Sequence, residues 1–180
     1  SMSAENQAGT LEEWEEHWQH GGFYVMLAIN INKVIAGRAA VKFFVSLFGK
    51  TADMKWLGHS VVGVERSENA VRQFFVESNM SYTEESVPAI FQGVFSNPEK
   101  TVTLYQCDIY SFSSSLEGQF DAMWDRGALV VIDPKHRQKY VSLIISLMAP
   151  GCRCLLDTML YDPERYAGMV YYIRSMGLNH

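Results

Sequence analysis

FDAMWDRGALVVIDP, residues 120–134, decides how the chain reads. It opens as an apolar strand over Phe120–Trp124, turns polar at Asp125-Arg126, and leads into Asp133-Pro134. Asp at an N-cap followed by Pro in the first turn starts a helix, and Lys135–Met148 continues as an amphipathic one. Pro150-Gly151 then turns the chain into a further strand, Cys152–Leu160. Strand, helix and strand in succession build a parallel sheet. Small molecules bind such sheets beyond the carboxyl ends of the strands. Asp125 and Arg126 therefore stand where an acid and a base meet a ligand. An internal ion pair between them is the competing reading.

The same alternation extends upstream. Val41–Leu47 (VKFFVSL) is a compact apolar run and reads as a buried first strand. Gly49-Lys50-Thr51 turns the chain into a short helix holding Met54, Trp56 and Leu57. Ser60–Val64 (SVVGV) is a second buried strand ending at Glu65, and Ser67 caps a helix with Ala70, Val71, Phe74 and Phe75 on its apolar face. Ser78–Ser96, with Pro88 and Gly93, reads as irregular. Thr101–Cys107 (TVTLYQC) is a third strand ending at Asp108. Near the start, Thr10-Leu11-Glu12-Glu13 forms a capping box for a helix to about His20. Gly21-Gly22 reads as its end, with a second helix over Phe23–Ile35 stopped by Gly37. The expectation is an α/β fold with a mostly parallel sheet and helices on both faces. Residues 1–9 read as a flexible lead, with Ser1-Met2 a remnant of tag removal. Residues 10–180 read as one domain with an N-terminal helical lid over 10–36.

Composition narrows the function classes. The 180 residues suit a single sizeable core. A net charge of −5 argues against a duplex nucleic-acid partner, which needs a basic face. The most continuous apolar stretch, Tyr140–Ala149, has about half the length a membrane-spanning helix needs. The opening residues carry no secretory signal. Three cysteines, Cys107, Cys152 and Cys154, fit buried thiols in a reducing cytoplasm better than a disulfide framework. Cys152-x-Cys154 on a strand points both thiols to one face. No further ligands stand near it for a metal site, and His17 and His20 with Glu13 and Glu16 read as a solvated helix face.

Four strand ends carry groups suited to a ligand. Gly49 after strand one lets a backbone approach closely, although the run is neither G-x-G-x-x-G nor a phosphate-binding P-loop. Glu65 after strand two suits the paired hydroxyls of a ribose. Asp108 after strand three suits an exocyclic adenine amine, with Ile109 against the ring. It suits a turn cap equally. Arg126 offers a planar fork of donors to an anionic group. Together they match a site for an adenosine-containing cofactor. Trp14 and Trp18, one helical turn apart, fit either a lid over a ligand or a staple to the core.

At these residues the chain resembles the thiopurine S-methyltransferase family. The resemblance runs through LEEWEEHW (11–18), FGKTADMKW (48–56), GHSVVGVE (58–65), FFVESNMSYTEE (74–85), FDAMWDRGALVVIDP (120–134) and LYDPERYAG (160–168). It implies a Rossmann-like class I methyltransferase fold and S-adenosylmethionine as cofactor, released as S-adenosylhomocysteine. It implies that Trp14, Trp18, Leu47, Gly49, Glu65, Asp108, Ile109 and Arg126 line the cofactor site, with Phe23 and Arg126 at the substrate. The implied acceptor is a small aromatic or heterocyclic thiol, and the implied setting a cytoplasmic, monomeric enzyme of xenobiotic metabolism. A non-catalytic cofactor-binding module is the alternative. Three features depart from the family's pattern. Ser46-Leu47-Phe48 replaces a run with proline and cysteine before Gly49-Lys50. The loop at Trp56-Leu57-Gly58 and the segment Phe23–Gly37 are shortened. The pattern also continues past the position of His180 with a helix and two strands, which implies a sheet short of its last strands.

Overall fold

A computed structural model of the chain describes residues 18–20, 23–28, 35, 37–46, 59–88, 92–125 and 132–157, with backbone alone at 18–20, 23–28 and 155–157. Among the described residues nine strands form one sheet: β1 (Trp18–His20), β2 (Phe23–Ala28), β3 (Lys42–Val45), β4 (Ser60–Glu65), β5 (Thr83–Val87), β6 (Gln92–Ser96), β7 (Val102–Gln106), β8 (Phe120–Asp125) and β9 (Met148–Asp157). Their spatial order is β1-β2-β9-β8-β3-β4-β7-β6-β5. The six strands from β2 to β7 in that order run parallel, and the antiparallel pairs lie at the two edges. Helices α1 (Glu68–Glu77), α2 (Ser114–Glu117) and α3 (Arg137–Ser146) connect the strands.

Alternation along the strands builds two cores. Phe43 and Val45 of β3 face one way with Val61, Val102, Leu104 and Ala122, and α1 covers them with Val71, Phe74 and Phe75. Phe44 faces the other way with Val62, Val64 and Met123, covered by Tyr140, Val141 and Ile144 of α3. Successive side chains of a strand point to opposite faces, so a strand apolar at every position needs cover on both. Three phenylalanines anchor the α3 side: Phe44 lies 5.3 Å from Phe112 and 5.2 Å from Phe120, ring centre to ring centre. On the other face Phe75 packs 4.8 Å from Tyr82. Arg72 ties α1 to the β5–β6 edge, bonding Glu68 at 2.7 Å and Glu84 at 2.8 Å while lying over Phe95.

Several expectations need correction. Trp18–His20 and Phe23–Ala28 form an antiparallel β-hairpin where helices and a helical lid were expected. Gly-Gly between two runs is as much a hairpin signal as a helix stop, and Phe23-Tyr24-Val25 is rich in strand formers. Residues 10–17 of the expected lid lie outside the described residues, as does the short helix with Met54, Trp56 and Leu57. β2 also pairs in parallel with β9, so the sheet continues beyond the fifth expected strand. Ser78–Ser96 is not irregular: β5 and β6 pair antiparallel and extend the other edge. Thr83–Val87 hid its strand because four of its five side chains are exposed and polar, the composition of a solvated edge. Asp133 does cap, accepting from Lys135 N at 3.0 Å, but a 3₁₀ turn over Pro134–His136 precedes α3. Pro150-Gly151 lies inside β9, where the pairing with β8 jumps from Phe120–Met148 to Ala122–Arg153. Gly151 has φ +78°, open to glycine at this bulge and strained for other residues.

All three cysteines are free and buried. Burial pushes the Cys152 thiol up to about 12 and the Cys107 thiol to about 11, and drives Cys154 well above its ordinary value. A thiol raised on folding stabilises fully below its unfolded value of 9.0 and loses that contribution as pH climbs toward the folded value. Thermal unfolding should therefore show a falling midpoint from pH 9.0 toward about 12, with a shallower fall in Cys152→Ala. Parallel slopes for the two proteins would remove this thiol from the pH dependence. Phe75→Ala should lower unfolding free energy in denaturant by about 3–5 kcal/mol, the cost of emptying a filled core position. A loss near zero would mean that α1 is not seated on the sheet as described.

Candidate functional site

The chain lays β3, β4 and β7 outward in sequence, then returns to place β8 and β9 on the other side of β3. That reversal makes the gap between β3 and β8 the topological switch point, where open α/β sheets bind ligands. The carboxyl ends meeting there and beside it carry, in spatial order, Asp125, Ser46, Glu65 and Asp108. Val45 pairs with Trp124, so Ser46 and Asp125, each one residue on, are neighbours. Glu65 pairs with Gln106, which brings Asp108 beside it. Three carboxylates thus line one edge of the sheet.

Local structure fixes each group. Glu65 closes β4 as the chain turns into α1, and its Oε1 accepts the Ser67 backbone N–H at 3.0 Å. Ser67 in turn caps α1, accepting from Ala70 N at 3.3 Å. The bond holds the carboxylate at the strand–helix junction, and acceptor positions remain on its two oxygens. Cys107 N donates to the Glu65 carbonyl at 3.2 Å, locking the two strand ends together. Asp108 caps the 3₁₀ turn Ile109–Ser111, accepting from Tyr110 N at 2.9 Å. Both sequence readings of Asp108, cap and strand-end acid, therefore describe the same residue. Ile109 is buried at its side. Tyr110 lies on the surface with the Lys139 ammonium 4.2 Å from its ring centre. Burial and the adjacent Asp108 raise its hydroxyl pKa.

Two hydroxyls join this edge that the sequence reading did not single out. Ser46 Oγ lies 2.5 Å from the Tyr140 hydroxyl, and Tyr140 reaches Asp125 Oδ2 at 3.5 Å. All three residues are buried. The signal available in sequence was slight: a serine inside VKFFVSL, and a tyrosine opening the apolar stretch of α3. These three residues border a cavity of about 30 Å³ between α3 and the sheet, walled also by Phe44, Met123, Val141, Ile144 and Met148. It has room for water.

Of the remaining expected site residues, Trp14, Leu47, Gly49 and Arg126 lie outside the described residues. Trp18 pairs with Val25, which pairs with Cys154, at mid-height of the sheet. Phe23 precedes the Tyr24–Arg153 pair and so sits at the amino ends of the parallel strands, opposite Glu65 and Asp108. Its position follows from β2 running parallel to β9. Among the described residues, no group of three or more His, Cys, Asp or Glu is placed to hold a metal ion, and no helix is long and apolar enough to cross a membrane.

Known proteins place the chain. The sequence model of the family Thiopurine S-methyltransferase (TPMT) matches residues 10–179. A probable thiopurine S-methyltransferase of Danio rerio is 47% identical over 184 aligned positions, covering 96% of this chain and 79% of the relative. The thiopurine S-methyltransferase of Canis lupus familiaris is 39% identical, covering 93% of this chain and 73% of the relative. Among solved structures, a TehB-like SAM-dependent methyltransferase from Corynebacterium glutamicum shares the fold at TM-score 0.55 and 12% identity, over 81% of this chain and 69% of that one. With acids in a row at the strand ends, and a family match from residue 10 to residue 179, the chain belongs to the thiopurine S-methyltransferase family.

Proposed function

We propose that the protein transfers the methyl group of S-adenosylmethionine to a small aromatic or heterocyclic thiol. The observation that carries this reading is the row of carboxylates across the ends of β8, β4 and β7 in a chain of this family. Glu65 accepts from the ribose hydroxyls, Asp108 from the adenine amine, and Ile109 packs against the ring. Leu47 follows Ser46 directly in sequence, Gly49 lies two residues further on, and Arg126 follows Asp125, so the same reading assigns them to the cofactor too. Trp14 and Trp18 are assigned to its cover, and Arg126 also steadies an anionic acceptor. Phe23, at the far end of the sheet, is left out of the substrate assignment. Residues 10–180 act as one domain. Three buried, unpaired thiols support a reducing, cytoplasmic setting.

The step is an in-line displacement. The acceptor loses its thiol proton to solvent, and the thiolate attacks the methyl carbon. A carbon–sulfur bond forms as the bond to the sulfonium breaks, and that electron pair leaves with neutral S-adenosylhomocysteine. Aryl thiols ionise near neutral pH, so the protein need not supply a strong base. Its contribution is alignment of the two reactants and exclusion of water. An acid-lined edge on a chain of net charge −5 favours the cationic cofactor.

Titration calorimetry with S-adenosylhomocysteine, followed by methylation of a panel of aryl thiols, tests the reading. Binding with methyl transfer supports it. Binding without transfer leaves a cofactor-binding module, and absence of binding removes both. Glu65→Ala should weaken binding by about 1.5–3 kcal/mol, through loss of charged hydrogen bonds to the ribose. Unchanged affinity would take Glu65 out of the site.

A further inference from the structure

We infer that Tyr140 is a positioning residue for the strand-end site, acting through Ser46 and Asp125; the inference rests on the function proposed above. Ser46 directly follows β3 and Asp125 ends β8, the two strands that flank the switch point. Tyr140 comes from α3, which lies across both. Its hydroxyl is within 2.5 Å of Ser46 Oγ and 3.5 Å of Asp125 Oδ2. The first distance is a short hydrogen bond and the second a long one. Tyr140 donates to Asp125 Oδ2, which leaves its oxygen to accept from Ser46.

What the hydroxyls hold is the switch point itself. Ser46 directly follows β3, Asp125 ends β8, and β3 pairs on its other side with β4, which ends at Glu65. Fixing these two groups fixes the carboxyl edge of the sheet beside Glu65. The tyrosine is 2% exposed and Ser46 3%, so bulk solvent does not reach these bonds. In this low-dielectric setting a hydroxyl has few rotamers open to it, and its direction is transmitted to the chain.

Tyr140→Phe, Ser46→Ala, their double variant and Ser46→Thr test the inference. The readouts are S-adenosylhomocysteine affinity by calorimetry, kcat and KM with an aryl thiol, and the unfolding midpoint. The wild-type protein is titrated first, so that failure of the cofactor reading shows as absence of binding there and overturns the inference with it. Given wild-type binding, Ser46→Ala should weaken affinity roughly three- to tenfold, the worth of one buried hydrogen bond, and Tyr140→Phe at least as much, since it also removes the bond to Asp125. The double variant should be no worse than Tyr140→Phe alone, because that change already removes the bond to Ser46. Ser46→Thr, which keeps the hydroxyl, should restore affinity. Lowered unfolding midpoints with unchanged affinity and kcat would make the bond a packing feature only and overturn the inference. Additive losses in the double variant would do the same.

Discussion

The structure depends on β3 being apolar at three consecutive positions, Phe43–Val45, and central in a parallel sheet. Phe43, Phe44 and Val45 cannot all face one core, because the strand repeats every two residues. Both faces must therefore be covered, by α1 on one side and α3 on the other. Covering both faces requires connections that cross over the sheet, and crossovers keep neighbouring strands parallel. Parallel strands in turn put all carboxyl ends on one edge. The site is a consequence of that edge: Glu65, Asp108 and Asp125 are brought together because of where their strands stop.

The parallel core was legible because its strands are short continuous apolar runs bounded by glycine or acid. VKFFVSL and SVVGV announce burial on two faces, TVTLYQC alternates and is rich in β-branched residues, and the structure places β3, β4 and β7 inside those bounds or within a residue of them. The edges were not legible for physical reasons. Thr83–Val87 is solvated, so it lacks the hydrophobic pattern that marks a strand. Phe23–Ala28 carries aromatic and aliphatic residues that satisfy a helix or a strand equally, and pairing with β9 decides it. Such tertiary pairing is absent from local sequence. The acids at the strand ends were visible because a polar residue directly after an apolar run is conspicuous. Ser46 and Tyr140 were not, since a lone hydroxyl in an apolar segment discloses its partner only when the fold is assembled.

Charge and burial share the work at this edge. Glu65 and Asp108 each spend one oxygen on a backbone N–H of the turn that follows. Those bonds give the carboxylates direction without consuming them. Asp125 is held deeper, within reach of Tyr140. The division leaves a half-buried Glu65 and an exposed Asp108 open to the proposed ligand, and a buried Asp125 beside Tyr140. A cationic methyl donor suits an edge of this sign, and its neutral product is held less strongly by charge, which favours release.

Hydrogen exchange with and without S-adenosylhomocysteine tests the central claim most directly. Backbone amides at the carboxyl ends of β4 and β7, from Val64 to Ser67 and from Gln106 to Ser111, should exchange more slowly in the complex. Those of the edge strand Thr83–Val87 should not change. Protection confined to the edge strands or to the amino ends of the parallel strands, around Lys42 and Ser60, would contradict the account.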